Sequence, residues 1–376
     1  MKMVVLIPKP NSKFHFGEGS LEESNYIFHS NSLFSAIVNN YIKLYGEEKF
    51  RKDLKKLKNI RLSSLFFKIK DIYLIPKPEY PRFYILKKIV EGIKPKDIKK
   101  IQFFSIKAYK EFLEGRLEWN EDKLKEIIDK QLISRKILIS DDETEIIRET
   151  FKIKENESLK DAKVNLFSKI VEQKVVIDRI KNTSLEIEGK GQLYNVEFIK
   201  LHPNVEFYFL IDYQTDDKEF IERVEASIRL IEDEGLGGER SSGAGFFEKV
   251  EILELPKDFK DIFSNYNNLD YSMTLGVGIP NKNDIGKIEY YKLMEIGGYI
   301  HSASILIRPS NDSEKGKKAL TTPKRNILAL TEGSIVKRNF EGKTENIAPK
   351  NFKHEVYAHG KPILLPFTFK GDENGS

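Results

Sequence analysis

The stretch Gly235–Phe247, GLGGERSSGAGFF, holds five glycines and two serines in thirteen residues. A segment so poor in side chains makes either a very tight turn or a surface on which a ligand meets backbone. Its position constrains the fold more than its composition does. Before it, VEFYFLIDY places Val205, Phe207, Phe209, Ile211 and Tyr213 on one face of a strand. KEFIERVEASIRLIEDEG then sets Ile221, Val224, Ile228 and Ile231 at helical steps. After the loop, FFEKVEILEL reads as another strand, with Lys249 and Glu251 on its wet side. Strand, helix, glycine loop, strand is the second half of a ferredoxin-like βαββαβ unit. The N-terminus supplies the first half. MKMVVLIPKP reads as a strand, and HSNSLFSAIVNNYIKLYG carries Leu33, Phe34, Ile37, Val38, Tyr41, Leu44 and Tyr45 at helical spacing. Ser30 or Asn31 can cap that helix and Gly46 can end it.

The loop does not fit two familiar phosphate cradles. A P-loop carries Lys and Ser/Thr after its glycines and leads into a helix, whereas this loop leaves a helix and enters a strand. The dinucleotide fingerprint fails for the same reason. What remains is exposed backbone with Arg240 to fork onto a phosphate or stack on a base, and Ser241 and Ser242 as further donors. Glu239 argues against an indiscriminate phosphate trap. A helix C-cap at Gly235 followed by a tight connection is the competing reading.

The rest of the chain fills in around this unit. At 376 residues it accommodates one large or two moderate domains. We expect a first domain over 1–255, a linker at 256–268 (PKDFKDIFSNYNN), and a sheet-dominated second domain over 269–370. Pro76, Pro78 and Pro81 exclude a central strand and suggest extended edge structure. Residues of about 85–170, with the single Trp119, read as a mostly helical insertion. VVIDRIKNTSLEIEGKGQLYNVEFIKL reads as a long hairpin-like excursion. The net charge of +5 permits a polyanionic partner without requiring one. Between Lys49 and Lys70 nine basic residues face one acid, Asp53, which suits either a solvated helix face or a nucleic-acid surface. There are no cysteines, so disulfides, thiolate nucleophiles and Cys-containing zinc sites are excluded. The N-terminal apolar run is far too short for a signal peptide or membrane span, and we expect a cytoplasmic protein without membrane association.

GLGGERSSGAGFFE resembles the glycine-rich loop of the RAMP proteins of CRISPR systems. The chain is similar, more specifically, to the fourth subunit of the Csm (type III-A) effector complex. FHFGEGSLEESNYIFHSNSLFSAIVNNY, LSSLFF…LIPKP, DRIKNTS…GQLYNVEF and YFLIDY precede the loop in family order. YYKLMEIGGYI, LALTEGSIV and HEVYAHGKPILLPF follow it. The resemblance implies an α+β fold of two ferredoxin-like (RRM-like, RAMP) domains, with a helical insertion and a thumb-like hairpin in the first. It also implies a non-catalytic role: gripping the repeat-derived five-prime tag of the guide RNA (crRNA) and joining the large polymerase-like subunit to the backbone RAMP subunits. Carried over, Gly235, Gly237, Gly238, Arg240, Ser241, Ser242, Gly243 and Gly245 would grip the tag. His29, Ser30 and Asn31 would sit beside it at a helix N-terminus, where N–H groups favour phosphate. Asp178, Arg179 and Tyr194 would belong to the thumb. The family commonly has Asp where this chain has Asn31.

Two other readings compete. A metal-independent RAMP endoribonuclease would use His29 with Tyr26 or Tyr41. The six histidines, His15, His29, His202, His301, His354 and His359, form no metal-ligand motif, so neither metal nor other cofactor is expected. A stand-alone RNA-binding module would show aromatic residues on the sheet face, and KVEILEL and VVLIPKP carry none.

Overall fold

The computed structural model describes the chain except for residues 18–20, 85–94, 118, 120, 163, 179–182, 185, 188–189, 301–321, 351, 353 and 370–376. Arg179 and His301 therefore lie outside the described residues. The fold is mixed α/β, centred on a nine-stranded sheet. Its heart is built from β1 (Lys2–Pro8), helix α1 (Ser30–Leu57), β2 (Phe66–Ile69), the antiparallel ribbon β3 (Phe167–Val175) and β4 (Leu193–Leu201), β5 (Glu206–Asp212), α2 (Lys218–Arg229) and β6 (Phe247–Glu254).

Within that sheet β6, β1, β5 and β2 lie side by side in this order, every pair antiparallel. The expected alternation holds on β5, where Val205, Phe207, Phe209, Ile211 and Tyr213 all join one core. The intervening Tyr208 and Leu210 join a second core on the opposite face. β1 divides likewise, Val4 and Leu6 to one side and Met3 and Val5 to the other. A sheet covered on both faces buries near-continuous apolar runs, as these strands do.

Helices α1 and α2 cover the first face. Asp217 caps α2 by accepting from the Phe220 N–H at 3.1 Å. α1 outlasts its expected end. Gly46 leaves helical geometry (φ 76°, ψ 168°) and makes a kink, after which helical turns resume to Leu57. Leu44, expected on the apolar stripe, is exposed at the kink. The basic stretch that follows is largely matched by acids: Arg51 to Glu47 at 3.3 Å, Lys52 to Glu48 at 2.7 Å, Lys68 to Glu206 at 2.7 Å, and Lys56 to Asp217. Its charge is thus spent locally, which favours the solvated-face reading.

The second face is closed by the remainder of the chain. Phe259 and Ile262 come from helix α3 (Lys257–Asn265), which occupies the stretch expected to be a linker. Its apolar residues three apart face the core, which a free linker would not need. Beyond it, Tyr271–Thr274, Ile335–Lys337, Leu364–Phe367 and Ile288–Tyr290 form a four-stranded sheet, with Met273, Leu275, Leu365 and Phe367 in the shared core. Among the described residues no α-helix follows Asn265.

Two expectations are corrected. The strand Ile72–Pro76 is interior, lying between β2 and Phe103–Ser105. Its proline is the last residue, where a missing N–H removes no further ladder bond, so the prolines end the strand and do not move it to the edge. The insertion also contributes strands as well as helices: Phe103–Ser105, Ile137–Leu138 and Leu132–Ile133 extend the main sheet beyond Ile72–Pro76. No helix among the described residues is long and apolar enough to cross a membrane.

Candidate nucleic-acid interface

The glycine loop is built in two parts. Its base folds tightly on itself and on the N-terminal segment. Leu236 N–H donates to Gly245 O (2.9 Å), Gly238 N–H to His15 O (2.8 Å) and Gly245 N–H to Lys13 O (2.8 Å). A Cβ on Gly235 would come within 2.6 Å of Gly245 O, one on Gly237 within 2.5 Å of His15 O, and one on Gly238 within 2.8 Å of the His15 ring. At Gly245 (φ +83°) a Cβ would run into the Leu236 carbonyl oxygen, and L-residues are strained at that φ in any case. Three of the five glycines thus admit the protein's own backbone, and Gly238 admits the His15 ring.

The tip is different. Arg240–Ser242 form a single 3-10 turn, and all three residues, with Gly243, are exposed. Gly243 has φ +88° and open space where a Cβ would stand. The stem of Arg240 lies along Gly235 and Gly245, and its guanidinium, 47 % exposed, donates to Glu234 O at 3.0 Å. The cation thereby sits at the end of a short helical turn whose carbonyls attract it.

The ribbon β3–β4 leans onto this tip. Lys174 Nζ reaches Glu239 at 2.6 Å and the Ser242 hydroxyl at 3.0 Å, and Ser242 Oγ donates to Glu239 at 2.6 Å. These bonds hold the Glu239 carboxyl below the usual range. Tyr194, half-buried, packs with Val196, Phe198 and Ala244 of the loop. The ring of Phe198 carries two lysines, Lys13 at 4.5 Å and Lys174 at 5.0 Å. Tyr194 is therefore brought to the glycine loop. Asp178 continues the ribbon on the short strand Ile177–Asp178. Lys174 and His15 were not singled out from the sequence. His15 is buried, with Nδ1 at 2.8 Å from Glu197 O, and props the loop from below. Alternation along β3 places Lys174 on the side of Glu172, but only the register with β4 shows which side meets the loop.

The start of α1 lies in different surroundings. Ser30 is 1 % exposed, and its Oγ accepts from Val277 N–H at 2.9 Å. Asn31 Oδ1 accepts from His359 N–H at 2.9 Å. His29 Nδ1 stands 2.8 Å from the carboxylate of Glu332, which also accepts from the Ser64 hydroxyl. Burial alone would raise the Glu332 carboxyl, but the His29 ring and the hydroxyl outweigh it and hold it low. The side chains of Ser30 and Asn31 thus join the two halves of the chain and are not presented outward. Tyr41, considered as a proton-transfer partner for His29, is buried and donates to Asp53 at 2.5 Å.

Residues 11–248 match the family model described as RAMP superfamily, and residues 267–367 that of the CRISPR Csm4 C-terminal domain. The curated "CRISPR system Cms protein Csm4" of Methanocaldococcus jannaschii is 63% identical over 393 residues, covering all of both chains. The chain belongs to the Csm4 family of RAMP proteins. A Csm4 protein of Streptococcus thermophilus is 22% identical over 359 residues, covering 93% of this chain and 94% of that one. Among solved structures, a chain of the Csm3-Csm4 subcomplex of the type III-A CRISPR-Cas interference complex superposes with a TM-score of 0.76 at 58% identity, covering 98% of this chain and 100% of that chain. A chain of the Csm1-Csm4 cassette bound to pppApA gives a TM-score of 0.51 at 19% identity, covering 98% and 97%, and shares the fold. The structure gathers Arg240, Ser241, Ser242 and Gly243 into an exposed tip, with the half-buried Lys174 and Tyr194 against it.

Proposed function

We propose that this chain is the subunit of a type III-A CRISPR effector that holds the five-prime repeat-derived tag of the crRNA without cutting it. The observation that carries the reading is the exposed tip Arg240–Gly243, held beside Lys174 and Tyr194 of the ribbon on a closely packed base. A preorganised guanidinium, ammonium and pair of hydroxyls suits a phosphodiester backbone. We read the order β6–β1–β5–β2 as ferredoxin-like, residues 269–370 as a second unit of related descent, and the ribbon with Asp178 and Arg179 as the thumb. Burial of the sheet on both faces supports binding through loops and ribbon in preference to a base-stacking sheet. The relative solved with Csm3 supports a backbone RAMP subunit as one neighbour. The large polymerase-like subunit is the other, with the complex in the cytoplasm.

His29 serves the joint between the halves in this reading. The test is a gel series with the purified protein, one RNA carrying the host repeat's tag and one scrambled RNA, each with and without EDTA. We expect intact RNA and tighter retention of the tag. Arg240→Ala should weaken tag binding by about 1–3 kcal/mol while leaving thermal unfolding unchanged. Cleavage that survives EDTA and disappears in His29→Ala would replace this reading with the processing nuclease.

A further inference from the structure

A cleft of about 480 Å³ opens where the two halves of the chain meet. The first half contributes Tyr26, His29, Lys77 and Tyr84, and the second contributes Lys292 and Glu332. Lys77 is the unusual member. It is 4 % exposed, yet among the described residues no carboxylate pairs with it directly. Its Nζ lies 3.6 Å over the Tyr84 ring and 3.3 Å from Ile98 O. Lys292 Nζ sits 5.0 Å from the same ring and is tied to Glu79 at 2.7 Å. Two ammonium groups are thus gathered on one aromatic ring, and only one of them has a carboxylate in contact. A buried ammonium in that condition is costly, and a protein without use for it gains by replacing it with a hydrocarbon side chain.

Further lysines stand at the rim of the cleft. Tyr26 at its rim is flanked by Lys136 at 5.3 Å and by Lys169 at 5.4 Å. Lys169 lies on β3, the strand that carries Lys174 to the glycine loop. Lys169, tied to Glu197 at 2.7 Å, stands five residues from Lys174 and so on the opposite side of the ribbon.

The geometry points to a second anchoring site, in which Lys77 and Lys292 hold a phosphate of the bound RNA between the two halves of the chain. The inference rests on the RNA-binding reading and adds to it a site remote from the glycine loop. It also predicts a proton linkage. Burial pulls the Lys77 ammonium down to about 7, against the opposing pull of Glu79 and with some help from Lys292. The other groups around the cleft are Tyr84, Lys99, Tyr26 and the His29–Glu332 pair. A phosphate placed on Lys77 restores its charge. Binding above pH 7 then takes up a proton, and affinity falls as the pH rises toward 9.

The experiment compares the full-length protein with Lys77→Met and Arg240→Ala. Titrations use a labelled short single-stranded RNA at several salt concentrations, near pH 7 and near pH 9. Inorganic sulfate, whose charge is constant over that range, is tested by its effect on unfolding temperature against matched chloride. Lys77→Met is expected to weaken RNA near pH 7, to lower the salt slope by about 1, and to abolish the loss of affinity toward pH 9. Its unfolding temperature should rise, and the extra protection by sulfate should vanish. Arg240→Ala should weaken RNA at both pH values and keep the pH dependence. A Lys77→Met protein with native affinity, slope and sulfate protection overturns the inference, even if Arg240→Ala weakens RNA. Loss confined to Lys77→Met supports the cleft and removes the loop tip from the RNA site. If the wild type binds no RNA, sulfate protection that needs Lys77 supports an anion site on its own, and its absence overturns one.

Discussion

The glycine loop and the start of α1 offer the same materials, small polar residues beside backbone N–H groups, and put them to opposite uses. The loop satisfies its base internally and leaves a rigid tip exposed. The start of α1 turns its serine, asparagine and histidine inward, onto Val277, His359 and Glu332. What separates them is topology. α1 begins at the seam where the second half closes over the sheet, whereas the loop stands at the end of the sheet, its base on the N-terminal segment and its tip beside the ribbon. A polar motif is available to a ligand only where the fold has left it without a covering element.

The largest expected effect tests the seam. Glu332→Ala leaves His29 and Ser64 facing an uncompensated buried site and should destabilise the protein by about 3–5 kcal/mol in urea unfolding. A loss below about 1 kcal/mol would mean that the seam is not held by this pair. Next comes the base of the loop. Gly245→Ala forces a methyl onto the Leu236 carbonyl at positive φ and should remove about 3 kcal/mol, with RNA binding lost alongside. Normal stability in that variant would show the base to be adaptable.

A pH titration sharpens the contrast further. Burial pushes the ring of His359, stacked on Phe34 at 4.3 Å, down to about 4 from its ordinary 6.5. The unfolded chain therefore binds the proton first, and stability falls as the pH drops from about 6.5 toward 4. Between pH 7.5 and 4.5 this amounts to about 2–3 kcal/mol. Replacing His359 by Gln should flatten that part of the stability–pH curve, and an unchanged curve would assign the loss to other groups. The smallest effect belongs to the tip. Gly243→Ala meets no neighbour and should cost about 1 kcal/mol from its φ alone, measured by the same unfolding curves. A loss as large as that of Gly245→Ala would erase the distinction between base and tip.

Much of this was legible in the residues. The period-2 pattern of β5 and the helical spacing of α2 placed both elements, and the strand–helix–loop–strand order placed the glycine loop at the sheet's end. Glycine content could not say whom the glycines serve. Three of them admit the protein's own backbone and Gly238 the His15 ring, which only the positions of His15, Leu236 and Gly245 show. The resemblance sets Ser30 and Asn31 beside the tag at a helix N-terminus, and nothing in their spacing shows that their side chains bond to Val277 and His359. Their partners stand some three hundred residues away, beyond any local pattern. Lys77 was lost among many lysines, since its burial follows from packing between segments and leaves no mark on spacing.

That separation has a consequence for how the protein comes into being. His29 meets Glu332 across 303 positions, and Asn31 meets His359 across 328. At roughly 5–20 residues per second, a ribosome needs roughly 15–60 s to deliver the partners after the first helix has emerged. From the delivery of Leu210 until that of Phe367, roughly 8–31 s at the same rate, Met3, Val5, Tyr208 and Leu210 lack the covering side chains of the second half. The nascent first half therefore exposes an aggregation-prone surface until Met273, Leu275, Leu365 and Phe367 arrive to cover it.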